Sequence, residues 1–117
     1  MVMQIRRDDR VTIEQKVEVR DPEYGTEVES WEVVTGPIWA NVQDVLPSRA
    51  EKTVSNLATA TQSTRLRILK GHVVAPDMRV RLHGRFGNRV MQIVAGPALL
   101  DDRMHNEFML EGSSHGG

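Results

Sequence analysis

No cysteine occurs anywhere in the 117 residues of the chain. That absence excludes a disulfide scaffold, a thiolate zinc finger, an iron–sulfur carrier and any enzyme with a cysteine nucleophile, and it is compatible with a reducing compartment. Aromatic residues are almost as scarce, at 4%: Tyr24, Trp31, Trp39, Phe86 and Phe108. A small nucleic-acid-binding barrel combines a basic groove with aromatic stacking platforms. Here both tryptophans fall in the first half of the chain, away from the arginine-rich run. No apolar run reaches the roughly 18 residues of a membrane span, and residues 1–10 lack the apolar stretch of a signal peptide, so neither membrane insertion nor secretion is expected. The four histidines, His72, His83, His105 and His115, lack the spacing of a metal motif. The sequence indicates no metal and no cofactor.

What is present is ordinary for a globular domain, with 39% hydrophobic and 26% charged residues. A chain of this length buries about two thirds of its unfolded surface and folds without staples. The net charge of −1 conceals an asymmetry. Residues 65–89 carry seven cations against Asp77, a local +6, whereas residues 14–32 are locally −5. Two readings fit this segregation. The charges either lie on solvated faces and pair within the chain, or they provide complementary contacts between neighbouring copies, with Glu14, Glu18, Glu27 and Glu29 facing Arg65, Arg67, Arg79 and Arg81.

Period-two alternation dominates the pattern. Val11, Ile13, Val17 and Val19 alternate with Thr12, Glu14, Lys16 and Glu18, as a half-buried strand requires. Asp21, Pro22, Tyr24 and Gly25 form a turn signal at residues 21–26. A second strand is expected over 27–34, with Gly36 and Pro37 interrupting it before a third at 38–42. Strand character returns at 64–68, 78–82 and 90–94, and residues 108–110 suggest a short last strand. Residues 84–88 read as a hairpin turn rather than a phosphate cradle, since no helix or full glycine motif follows. His105 near Asp101 and Asp102 reads as a solvated turn in a polar loop in preference to an acid–base group, and Ser113 and Ser114 beside His115 carry no stronger signal.

The expected fold class is therefore all-β, a small antiparallel β-barrel of about seven strands with one long loop or short helix at about 46–62. Residues 1–111 form a single domain and residues 112–117 a disordered tail. The expected core contains Val11, Ile13, Val17, Trp31, Trp39, Val42, Leu66, Ile68, Val80, Leu82, Ile93 and Leu110. In the middle segment Ser48 and Glu51 have capping-box spacing. A short helix and a long mobile loop fit that segment equally well.

Laid out in order, the motifs form a pattern: Arg10-Val11-Thr12-Ile13, a turn with Tyr24-Gly25, Glu29-Ser30-Trp31, Trp39-Ala40, Thr64-Arg65-Leu66-Arg67-Ile68 and Met78-Arg79-Val80. Over about residues 6–111 the chain resembles the head–tail joining, or head-closure (stopper), family of long-tailed bacteriophages. The late turn at 83–88 and the connection at 96–106 are longer than this family's pattern leads one to expect. The resemblance implies a structural protein of the virion neck, assembled in the host cytoplasm, with no enzyme activity. It implies a ring of copies, hexamer or dodecamer, below the portal and adaptor, closing the DNA-filled head and docking a tail terminator or tail tube. DNA would pass through the channel without sequence-specific binding. Gene transfer agents carry similar rings. By the same resemblance the middle segment, with Ser48, Arg49, Glu51, Lys52, Ser55, Asn56, Thr59 and Thr61, would line or gate that channel, against the simpler reading of a surface loop. The alternative function is a small nucleic-acid-binding β-barrel.

Overall fold

The computed structural model describes residues 5–46 and 61–113. Six antiparallel strands form it: β1 Asp9–Arg20, β2 Glu27–Val45, β3 Thr61–Leu69, β4 Arg79–Leu82, β5 Arg89–Leu99 and β6 His105–Ser113. They close into a barrel in the order β1-β2-β3-β6-β5-β4, which leaves no open sheet edge around the barrel itself. The protein is all-β, as its alternation dictates. No helix among the described residues is long and apolar enough to cross a membrane.

The count is six strands rather than seven because Gly36 and Pro37 do not end a strand. β2 runs through them as a bulge opposite Thr12, where the register with β1 slips between Val11↔Ile38 and Ile13↔Thr35. A bulge accommodates a proline that cannot donate to the ladder. Gly36, at φ +127°, lies so close to β1 that a Cβ would come within 2.8 Å of Thr12 Cα. Gly96-Pro97 repeats the arrangement in β5, which continues to Leu99 across a register shift against β6. The expected long link at 96–106 is therefore mostly strand. β6 is also longer than the expected 108–110 and includes two residues assigned to the tail, Gly112 and Ser113.

The barrel interior is filled. Val11, Ile13, Ala40, Leu66, Val80, Leu82 and Leu110 are wholly buried, joined by Val42, Ile68, Met78, Met91, Ile93 and Phe108. Nine of the twelve expected core residues lie in this cluster. Val17, Trp31 and Trp39 do not: Val17 and Trp31 are half-buried and Trp39 is 52% exposed. Pairing explains all three. Val11↔Ile38 turns its side chains inward, so the adjacent pair Arg10↔Trp39 points outward. Beyond Glu14, β1 loses β4 as a neighbour, and β2 meets β3 only from Asn41 onward. Residues 15–35 therefore make a two-stranded arm that leaves the barrel, and no opposite wall exists to bury Val17 or Trp31. Its tip is the expected turn: Asp21 accepts the Gly25 amide at 2.8 Å through its carbonyl and the Glu23 amide at 2.8 Å through Oδ1.

Candidate functional site

The wall of the barrel is organised by carboxylates that each hold two arginines. Glu14 on β1 faces β4, where the register sets it opposite Arg79. Arg79 Nε donates to Oε1 at 2.6 Å and Arg81 Nε to Oε2 at 3.2 Å. Burial pushes the Glu14 carboxyl up, but the two guanidinium hydrogen bonds and charges outweigh it and hold the group below the ordinary glutamate range. On β6, Glu107 accepts from Arg67 Nε at 2.7 Å, while Arg65 Nε stands 3.5 Å away, near enough for attraction between charges but too poorly placed for a hydrogen bond. The four arginines of the expected inter-copy set, with Glu14, are thus engaged inside one chain. Glu29 pairs with Lys16 at 2.6 Å. Glu18 and Glu27 form no ion pair among the described residues, and both are exposed.

Three of the five aromatic rings carry the chain's own guanidinium groups. Arg79 lies 4.1 Å from the centre of the Trp31 ring and Arg10 4.9 Å from that of Trp39, while Phe86 carries Arg85 at 4.5 Å and Arg89 at 5.2 Å. Cations so placed are attracted by the ring quadrupole. Of these three rings only that of Trp39 is largely exposed.

Two hydrogen-bonded chains resemble catalytic arrangements in composition only. Thr12 Oγ1 lies 2.7 Å from His83 Nε2, and His83 Nδ1 lies 3.0 Å from Asn88 Oδ1. Thr12 is buried, and the chain ties β1 to the turn before β5. Asp102 Oδ2 lies 2.6 Å from His105 Nδ1, and Asp102 Oδ1 accepts the amides of Met104 and His105 at 2.8 and 3.1 Å. The Met104 amide, with the smaller help of His105, holds the Asp102 carboxyl below its ordinary value. Asp101–Met104 form the expected solvated turn, with Arg103 at φ 60° closing it, but His105 opens β6 and is buried rather than solvated.

Most of the candidate channel residues, Ser48, Arg49, Glu51, Lys52, Ser55, Asn56 and Thr59, lie outside the described residues, as does the capping-box expectation. Thr61 opens β3 opposite Ser113. The features that sequence reasoning missed are on the other side of β2. Trp39 and residues 5–8 line an open depression of about 570 Å³ with Arg6, Arg7 and Asp8 on its rim. Asn41 Nδ2 anchors this segment by donating to the Arg6 carbonyl at 2.8 Å. Only the register of β1 on β2 puts Arg10 beside Trp39, so no local signal reveals the patch.

These elements define a small structural barrel that works through its surface, with a projecting acidic arm and an exposed cation–aromatic patch as its distinctive parts. The chain belongs to the phage head completion protein family, whose profile matches residues 3–110. It is accordingly a structural protein of phage-type particles and not an enzyme. The solution structure of protein SF1141 from Shigella flexneri 2a is similar over 90% of this chain and 91% of that one, with 25% identity and a TM-score of 0.64. A chain of the virion of a native gene transfer agent particle shares the fold over 94% of this chain and 97% of its own, at 17% identity and a TM-score of 0.57. No curated protein matches the chain.

Proposed function

We propose that the protein forms the head-closure ring of the virion neck, below the portal and its adaptor, retaining packaged DNA and offering a docking face to the tail terminator or tail tube. The family match over residues 3–110 carries this reading. The packed interior supports a ring in particular. A barrel filled by Ile13, Leu66, Val80 and Leu110 has no lumen of its own, so any channel for DNA must run between copies. Glu14 and Glu107 each cut the charge of an arginine pair on the wall from +2 to +1, which suits a conduit, because each free cation against a phosphate would strengthen retention of DNA.

Deleting the gene from a phage or prophage that carries it tests the reading. Particles are expected to assemble heads that lose DNA and fail to join tails, with rescue by the intact gene supplied separately. Deletion particles that remain DNA-filled and tailed would overturn it.

A further inference from the structure

The arm is a sheet fragment without a partner. From Gln15 onward β1 pairs only with β2, and β2 from Glu27 to Thr35 pairs only with β1. An isolated two-stranded ribbon is marginal in water. Val19 and Val28 are direct cross-strand partners and are 53% and 50% exposed, with Val17 two residues away on the same face and Tyr24 at the tip. The patch around Trp39 is the complementary feature. It pairs an exposed indole with Arg7 and Arg10, neither of which forms an ion pair with a carboxylate among the described residues. The arm, residues 15–35, carries a net −4.

We propose that the valine face of one copy's arm seats on the Trp39 patch of the next copy, head to tail, an inference that rests on the ring reading above. The arm cannot reach its own patch. Arg10 and Arg20 belong to the same extended strand, which separates them by about 33 Å. A contact between two different surfaces of identical chains is heterologous, and it closes into a ring when its rotation allows. Asp21, Glu23 and Glu27 around the tip then meet Arg7 and Arg10, so charge sets the direction of the contact while Val19, Val28 and Trp39 supply apolar area.

Absence of cysteine makes the test direct. In the full chain, assembled in particles or at high concentration in solution, Val28→Cys combined with Arg7→Cys is expected to yield on oxidation a ladder of covalent multimers. Either substitution alone should stop at dimer. Both positions are exposed, and thermal melts of the variants verify folding. Separately, Glu23→Lys with Glu27→Lys should weaken self-association about tenfold, and adding Arg7→Glu with Arg10→Glu should restore it in part. Rings seen by electron microscopy without the ladder, and indifferent to charge reversal, would overturn the arm contact and leave the ring. No self-association in either setting would overturn both. A Val28→Cys adduct to a different virion protein would overturn a second copy as the occupant.

Discussion

Arg79 donates to Glu14 Oε1 at 2.6 Å and simultaneously covers the Trp31 ring at 4.1 Å, so one guanidinium joins the barrel wall to the base of the arm. Arginine suits both tasks, since its planar fork hydrogen-bonds in plane and stacks through its face. A lysine offers neither geometry. Arg79→Lys is therefore expected to lower stability by about 1–2 kcal/mol. In a Trp39→Phe background it should also shift Trp31 emission to longer wavelength, as the ring becomes more hydrated. An unchanged spectrum with unchanged stability would show that the arm is not held at this point.

The same carboxylate predicts a pH dependence with a definite sign. Glu14 ionises more readily in the folded chain than in the unfolded one, so its contribution is complete above about pH 4.3 and declines as the pH falls through its lower folded value. Urea midpoints measured from pH 7 to pH 3 should show wild type more stable than Glu14→Gln at neutral pH. The gap should narrow in the acid range. A gap that widens on acidification would reverse the assignment.

Gly96 has a tighter requirement than Gly25. A Cβ at Gly96 would lie 2.7 Å from the Glu107 carbonyl and 3.1 Å from Phe108 Cα, at φ +112°, whereas at Gly25, φ +70°, it would meet nothing within 4 Å. Gly96→Ala is expected to cost more than about 2 kcal/mol, and Gly25→Ala about 1 kcal/mol. Equal midpoints for the two variants in denaturant would contradict the close approach of β5 to β6.

Burial separates Ile13 from Trp39 although both are large and both belong to strands. Ile13→Ala removes a wholly buried side chain and should cost about 2–5 kcal/mol. Trp39→Ala, at an exposed position, should stay within about 1 kcal/mol of wild type. Chemical denaturation of both variants distinguishes an outward tryptophan from a core one; a loss of several kcal/mol at Trp39 would return it to the core.

Periodicity and turn chemistry determined that the chain is an all-β barrel, and periodicity identified the inward faces of β1, β3 and β4 through Val11, Ile13, Leu66, Ile68, Val80 and Leu82. Motif order along those strands resembles that of the head-closure family, and the family profile matches residues 3–110. Alternation is a local property, since side chains two residues apart share a face wherever the strand lies. It does not say whether a second wall covers that face. Val17 continues the alternation of Ile13, yet it is half-buried on the arm, because β4 ends its pairing with β1 at Glu14. The bulge at Gly36 and Pro37 likewise looked like a strand end, since proline's missing donor is visible in sequence but the Thr12 backbone against which Gly36 packs is not. The charge asymmetry was legible as a number only. Which arginine each glutamate holds was decided by register between strands 65 residues apart in the chain, as with Glu14 and Arg79, and register is a property of the closed barrel.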